Sequence, residues 1–462
     1  MSATSLIQKT VIDQKTFFNT GKTRSFFFRF EQLRKLRYMI EENESDIMTA
    51  LSKDMGKPQV EAFTSEIGML LEEIKYTGNH LKSWVKPKTC KTMIFHMAAS
   101  SYSIMEPYGV VCIIGPWNYP FQLLISPLIG ALAAGNCAIL KPSELSIHSA
   151  SLLETLIRKY FESSIVAVIT GGAEISSELL KQKFDYIFFT GSPQIGRKVL
   201  KAAAQNLIPC TLELGGKNPC IVDTHKNIKQ TAKRIAWGKF FNAGQTCVAP
   251  DYVIVRNEIM ELLSEELKAA IDSFYHNNKQ DYARIINKHH FDRIISLFDG
   301  RSIIHGGKYE RNELWIEPTI VNQVTWNDKI MKEEIFGPVL PIISYNTIEE
   351  LIPILIGKPK PLALYIFSNN KKTIDVILHH VSAGSVCING TMSQMISFTL
   401  PFGGVGESGM GKYHGHHSFC AFSHEKAVLK KHPHIGINAV FPPYTRPVSF
   451  IRKTIRLLFK HL

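Results

Sequence analysis

Cys247 stands in the stretch FFNAGQTCVAP, among Asn242, Ala243, Gly244, Gln245 and Thr246 and straight after an amphipathic run. Small and amide residues make a poor core but a good reactive loop, open to a flat carbonyl approaching a thiolate. The plain alternative is a thiol packed as a small hydrophobe. Glu213 lies inside the apolar stretch CTLELGG, where a carboxyl without a partner is expensive to bury. Such a group has its pKa raised and is suited to proton transfer. Asn118 follows VVCII in GPWNYPFQL, at the carboxyl end of an expected strand, where open sheets place ligands. A turn-capping Asn is the alternative there.

Two further stretches suggest a dinucleotide. In FFTGSPQIGRKV a strand runs into Gly191, Ser192 and Gly196 and a helix begins. That junction points free backbone N–H groups at an anion such as a pyrophosphate, although it is not the GxGxxG fingerprint. In LKPSE, Lys141 and Glu144 follow the strand CAIL, where a cation and a carboxylate together suit ribose hydroxyls; a surface ion pair is the alternative. Taken jointly, a thiol nucleophile, an amide donor, a buried base and a dinucleotide site point to oxidation of a carbonyl. A thiolate adds to the carbon, Asn118 and the Cys247 N–H hold the oxyanion, hydride loss leaves a thioester, and water deprotonated by Glu213 releases a carboxylate.

These groups need a scaffold. From about residue 108 the pattern alternates short Val-, Ile- and Phe-rich strands with helices: VVCII, CAILKPS, VAVIT and YIFFTGS, then CTLELGG, YVIVR, VLPIISY, LALYIFS and SVCIN. Strands without period-two polarity belong to parallel sheets covered on both faces. The expected fold class is α/β, with two doubly wound Rossmann-like domains plus a small bridging or oligomerisation segment. Residues 1–81 and 108–209 form the expected cofactor-binding domain and 210–400 the catalytic domain. Residues 82–107 and 401–446 form bridging segments, and 447–462 a basic amphipathic tail. The run LLISPLIGALAAGNCAIL, broken by Pro127, Gly130, Gly135 and Asn136, reads as a helix and a buried strand rather than a membrane span.

With 462 residues, 45% hydrophobic and 20% charged, the chain has the bulk character of a multidomain globular protein. Its eight cysteines include no CxxC pair and its histidines no HExxH spacing, so neither a disulfide framework nor a metal site is expected. A reducing, cytoplasmic home is the natural one, and the N-terminus lacks the apolar core of a signal peptide. Much of the +13 formal charge lies from Lys426 onward, with no acidic residue after Glu425. No nucleic-acid-binding pattern accompanies it, so no nucleic-acid partner is expected.

The stretches GPWNYPFQL, KPSE, FFTGS, TLELGGKNP, WGKFFNAGQTCVAPDY, EEIFGPVLPI, PLALYIFS and LPFGGVGESGMGKYHG occur in an order that resembles the aldehyde dehydrogenases. Within them the chain is similar to the class 3 type, which includes fatty-aldehyde dehydrogenases. The resemblance runs from about residue 10 to 445. It implies Cys247 as nucleophile, Glu213 as the base that activates water and Asn118 as oxyanion donor. It implies Lys141 and Glu144 on the adenosine ribose, Gly191, Ser192 and Gly196 near the pyrophosphate, Glu334 and Phe336 at the nicotinamide ribose and ring, and Trp117 lining the cofactor side of the cleft. It also implies NAD, with NADP accepted by some relatives, and a homodimer bridged by Lys82 to Pro107 and the region after Gly403. A departure is Asn389, Gly390 and Gln394, where class 3 relatives often carry Asn-Asp and then His, at the border of the substrate mouth.

In the tail VSFIRKTIRLLFKHL, Val448, Ile451, Ile455, Leu458, Phe459 and Leu462 recur at helical spacing beside Arg452, Arg456 and Lys460. This is the pattern of a basic helix on an anionic membrane surface, with packing over the substrate funnel or on a partner subunit as the alternative. On the membrane reading, the protein is peripheral on the inner face and a long-chain or hydrophobic aldehyde is the expected substrate. Two other activities stay open: a CoA-acylating dehydrogenase on the same fold, and a cysteine-dependent hydrolase using one of the histidines.

Overall fold

The computed structural model describes residues 3–93, 96, 98–223, 226–275, 279–435, 441–444 and 446–458. The apolar runs form two sheets. In the first, the strand order is Gly409–Met410, Cys210–Leu214, Tyr186–Gly191, Val110–Ile114, Cys137–Lys141, Val166–Val168, with all but the two-residue Gly409–Met410 parallel. The chain leaves Val110–Ile114 in one direction and returns to fill the other side with Tyr186–Gly191. The carboxyl ends of these two neighbours therefore flank a topological switch point. Every residue of Val110–Ile114 and Cys137–Lys141 is buried, which is why neither alternates polar with apolar.

The second sheet runs Ser302–His305, Thr319–Asn322, Val339–Tyr345, Tyr252–Arg256, Pro219–Val222, Ala363–Phe367, Ser385–Ile388, antiparallel only at its first pair. The expectation that the second unit opens at Cys210 is corrected here. Thr190 pairs with Glu213 and Gly191 with Leu214, so Cys210–Leu214 belongs to the first sheet. The second sheet begins with Pro219–Val222, which the sequence pattern had not revealed as a strand. Composition does not separate the two possibilities, because a buried parallel strand looks alike in either sheet. The correction matters for the chemistry: Glu213 lies one residue from the carboxyl end of a first-sheet strand, and Gly215-Gly216 carry the chain to the amino edge of the second sheet.

Residues 82–107 do leave both sheets. Lys88–Cys90 and Ser100–Pro107 pair with Ser423–Lys430 in a three-stranded antiparallel sheet, in register from Ser423 opposite Pro107 to Lys430 opposite Ser100. The excursion thus finds its partner near the other end of its own chain.

Helices Phe26–Glu42 and Met69–Trp84 pack on the wholly buried helix Gln122–Ala134. Gly135, left-handed at φ 92°, ends that helix with its N–H on Ala131 O and returns the chain into Cys137–Lys141. The apolar run there is a helix and a strand, as expected. Among the described residues no helix is long and apolar enough to cross a membrane. Val448–Leu458 is helical, while Phe459 and Leu462 of the expected apolar face, and the side chain of Leu458, lie outside what is described.

Candidate active site

Helix Ile228–Phe240 ends in a turn that few sequences tolerate. Asn242, Ala243 and Gly244 are all left-handed, at φ 53°, 52° and 73°. For the two non-glycine residues this costs of order 1–3 kcal/mol each and persists only when surroundings dictate it. Here they do. The Asn242 amide donates to Glu61 Oε2 at 2.9 Å, and its side chain donates to Asn118 O at 3.1 Å and Gln245 O at 3.2 Å. Gln245 is fully buried, donates to Arg284 O at 2.9 Å and accepts from Ile286 N at 3.1 Å. A Cβ on Gly244 would stand 2.3 Å from Gly337 O, so the close approach of the two loops requires glycine.

Cys247 follows on this over-determined turn. Asn218 Nδ2 holds its carbonyl at 2.7 Å and that of Ala249 at 3.0 Å, while Asn218 Oδ1 accepts from Ala363 N at 2.9 Å, tying the loop to a strand of the second sheet. Tyr365 Oη donates to Val248 O. Cys112, Cys137 and Cys220 are buried in the core, but Cys247 keeps partial exposure. Its thiol is nevertheless pushed up to about 12, first by the low-dielectric surroundings and then by the carboxyls of Glu334 and Glu213; the amides of Cys247 and Val248 pull the other way.

The strand end before Asn118 delivers its amide to the same loop: Nδ2 donates to Gln245 O at 2.9 Å. One N–H of that amide is thereby spent on orientation, leaving the second. Tyr119 and Thr246 share a hydroxyl hydrogen bond at 2.5 Å, a second tie between the segments. Glu213 is buried, and neither carboxyl oxygen has a hydrogen-bond partner among the described residues. Burial alone drives its pKa well above the carboxylate range. The glycine-rich loop after Leu400 passes directly over it, since a Cβ on Gly403 would sit 3.2 Å from Glu213 Oε1.

Glu334 is pushed up to about 8, by burial first and by the charge of Asp251 second, with the Gly216 amide opposing. A Cβ on Gly215 would meet its Oε2 at 2.0 Å, so the backbone next to Glu213 presses on this carboxyl. The segment is fixed from behind by Arg293, which donates to Glu334 O at 3.2 Å and Ile335 O at 2.6 Å, and by Asp251, which accepts from Ile335 N at 2.9 Å. Phe336, left-handed at φ 47°, meets Trp117 edge-on at 5.4 Å.

The remaining predicted residues stand along the carboxyl edge of the first sheet. Ser192 caps helix Pro193–Gln205, its Oγ accepting from Ile195 N at 3.4 Å, with Pro193 in the first turn. Gly191 ends the strand, and Gly196 is buried where a Cβ would lie 2.6 Å from Leu214, so it serves close helix-to-strand packing. Lys141 is buried at the end of its strand, donates to Pro142 O at 2.7 Å and lies 3.5 Å from the half-exposed Glu144. A capped helix start beside a glycine, a buried cation with an exposed carboxylate, and an aromatic pair at the mouth fit a dinucleotide. No cluster of three or more potential metal ligands occurs among the described residues.

Lys57, Glu61, Glu66, Asn218 and Tyr365 hold the site without standing out in the sequence as functional residues. A signal existed for one group: Glu66 and Glu73 fall on the same face as Leu70, Ile74 and Leu81, a stripe on which an acid is out of place. A cavity of about 940 Å³ lies apart from this cleft; its lining includes Tyr108, Tyr186, Cys210, Thr211 and the Gly403–Gly406 loop. The polar groups converge on the Cys247 loop instead, and that convergence marks the site.

The model of the family described as "Aldehyde dehydrogenase family" matches residues 5–428. The chain is 45% identical over 453 residues to 4,4'-diaponeurosporen-aldehyde dehydrogenase of Staphylococcus aureus, covering 97% of this chain and 99% of that protein. It is 45% identical over 430 residues to the dimeric NADP-preferring aldehyde dehydrogenase of Rattus norvegicus, covering 92% and 95%. Among solved structures, the substrate-bound state of Staphylococcus aureus AldH superposes with a TM-score of 0.95 at 44% identity, covering 97% of this chain and 99% of that one.

Proposed function

Because the chain belongs to the aldehyde dehydrogenase family, and within it to the class 3 type, we propose that its NAD(P)-dependent oxidation of an aldehyde to the carboxylic acid runs through Cys247 as nucleophile, Asn118 as oxyanion donor and Glu213 as base. The observation that carries this reading is the buried carboxyl of Glu213, which has no hydrogen-bond partner among the described residues and whose charge raises the pKa of a thiol on the loop that holds the Asn118 amide.

Once deprotonated, Cys247 Sγ adds to the carbonyl carbon. The electron pair moves onto oxygen, where the second N–H of Asn118 and the Cys247 amide stabilise it. NAD(P), when bound, supplies the acceptor for the hydride that leaves this carbon. Glu213 then takes a proton from water as its oxygen attacks the resulting thioester, and the tetrahedral adduct collapses to the carboxylic acid with Cys247 leaving as the thiolate. A hydrolytic base is not required when CoA accepts the acyl group, so Glu213 favours water. The charges that act most strongly on the thiol are the carboxyls of Glu334 and Glu213, which raise its pKa where a Cys–His pair would lower it, and this disfavours a hydrolase.

For the cofactor, Lys141 and Glu144 suit an adenosine ribose, and the carboxylate favours NAD over a 2′-phosphate without barring NADP. For the substrate, a hydrophobic aldehyde is supported by exposed apolar side chains on the segments leading to and following the site: Trp237 at 40%, Ile396 at 50% and Leu400 at 50% exposed. The name of the Staphylococcus aureus relative agrees with this choice. The deciding measurement is a panel of aldehydes from short aliphatic to long polyene, following NADH and NADPH without CoA. Turnover that required CoA, or survived Cys247→Ala, would overturn the mechanism.

A homodimer is supported by two of the sheet-edge strands, Ser385–Ile388 and the largely exposed Ser423–Lys430, whose outer edges find no strand partner among the described residues. Light scattering on the wild type and on Val428→Pro tests it, with a monomer expected for the variant. Peripheral contact with an anionic membrane is supported by helix Val448–Leu458, where Val448, Phe450 and Ile455 are exposed alongside Arg452, Lys453 and Arg456. Deleting residues 447–462 is expected to abolish sedimentation with phosphatidylserine vesicles, and unchanged binding would refute it.

A further inference from the structure

The segment that presents Asn118 is held by residues from a layer with no catalytic group. Lys57 and Glu66 form an ion pair at 2.5 Å with both side chains completely buried. Lys57 Nζ also donates to the carbonyl of Asn118 at 3.1 Å and lies 4.2 Å from the centroid of the Tyr119 ring. Glu66 Oε2 accepts from the amides of Phe121 at 3.0 Å and Gln122 at 3.1 Å. The helix that follows, Gln122–Ala134, has no side-chain cap of its own, so Glu66 reaches from another element to satisfy its free amides. Between them the two residues grip both ends of the five-residue link from Asn118 to Gln122.

Two further facts separate this pair from an ordinary stabilising contact. A fully buried ion pair is weak evidence for stability, because desolvating two charges offsets their attraction and apolar replacements are often neutral or better. Glu66 also sits in a π-helical stretch, Phe63–Gly68, between two α-helical segments. Such wide turns frequently mark functional positions.

We propose that the Lys57–Glu66 ion pair is a positioning device for the oxidation, fixing the Asn118–Gln122 link and through it the Asn118 amide that faces the thiol loop. This rests on Asn118 acting as the oxyanion donor. Lys57 holds the main chain of Asn118 through its carbonyl, and Glu66 holds the far end of the link through the amides of Phe121 and Gln122. Misplacing such a donor by about 1 Å costs on the order of 100-fold in rate.

The test uses Lys57→Met/Glu66→Leu, which removes both charges together and leaves no unpaired ion, in the full-length enzyme and again in an Asn118→Ala background. The expected result is a kcat lowered roughly 10- to 100-fold with KM little changed. The deuterium isotope effect with a 1-deuterated aldehyde should rise and the alkylation rate of Cys247 stay near wild type, while the melt stays cooperative with a midpoint lowered by the lost acceptor for the Phe121 and Gln122 amides. On top of Asn118→Ala, the double substitution should cost less than about twofold, because the device would have nothing left to position. A folded double variant with wild-type kcat overturns the inference, as does one that loses its cooperative melt. A slow Asn118→Ala enzyme on which the full loss is still multiplied also overturns it, and leaves the role of Asn118 standing. An Asn118→Ala enzyme with unchanged kcat removes the oxyanion role itself, and the positioning role with it.

Discussion

Glu61 Oε2 accepts the amide proton of Asn242 at 2.9 Å, across 181 positions of sequence, where the left-handed turn before Cys247 begins. The bond converts a conformation the chain resists into the one it keeps. Truncation in Glu61→Ala leaves a buried N–H without an acceptor, at a cost of about 1–3 kcal/mol. The expected outcome is a lower melting temperature together with a fall in kcat, and Glu61→Gln, which retains an acceptor, should recover most of both. A Glu61→Ala enzyme with wild-type melting and turnover would show that the turn holds without this bond.

The thiol of Cys247 is pushed up to about 12, and after burial the largest contributor is the carboxyl of Glu334. A negative neighbour disfavours the thiolate, so neutralising it must move the thiol down. Glu334→Gln is therefore expected to shift the pH midpoint of iodoacetamide alkylation at Cys247 to lower values. An unchanged or higher midpoint would mean that Glu334 is protonated over the range tested, or is too well shielded to matter.

What could be read in advance followed from locality. Cys247, Glu213 and Asn118 each stand out against immediate neighbours: a thiol among small residues, an acid in an apolar strand, an amide at a strand end. Pairing is not local. Cys210–Leu214 has the same texture whichever sheet takes it, and only the register Thr190 to Glu213 assigns it to the first. Ser100–Pro107 waits for Ser423–Lys430, far along the chain. Lys57 and Glu66 resemble a solvated helix face unless the acid is noticed on an apolar stripe, and their purpose appears only when Asn118 is folded against them.

Among the described residues neither oxygen of Glu213 has a hydrogen-bond partner, an arrangement suited to a water molecule and costly otherwise. Glu213→Gln keeps shape and removes the base proposed for thioester hydrolysis. Capture of the aldehyde and hydride loss do not need that base, whereas release of the thioester does. The variant should form about one NADH per Cys247 rapidly and then stall, with steady-state kcat reduced by at least about 100-fold. Mass spectrometry should find the acyl group on Cys247. A slow linear progress curve with no burst and no acylated enzyme would assign Glu213 to an earlier step.

Glu73 offers a test of buried charge away from the reaction. It accepts from Ser126 Oγ at 2.5 Å and Gly415 N at 3.3 Å, and burial outweighs both bonds to push its pKa up to about 7. In the unfolded chain a glutamate titrates near 4.3. Below that pH both states hold the proton and stability does not depend on it. Between there and about 7 the unfolded chain has released the proton while the folded protein keeps it, so the unfolded state binds fewer protons and stability falls as pH rises. Above about 7 both forms are ionised and the penalty is constant, of order 4 kcal/mol as an upper bound. Glu73→Gln cannot ionise and escapes the whole slope, whatever fixed cost its altered hydrogen bonding adds. The melting temperature of the variant relative to wild type is therefore expected to be higher at pH 8 than at pH 5. A difference that stays constant, or moves in favour of the wild type as pH rises, would mean that Glu73 is held ionised by a group the hydrogen bonds do not reveal.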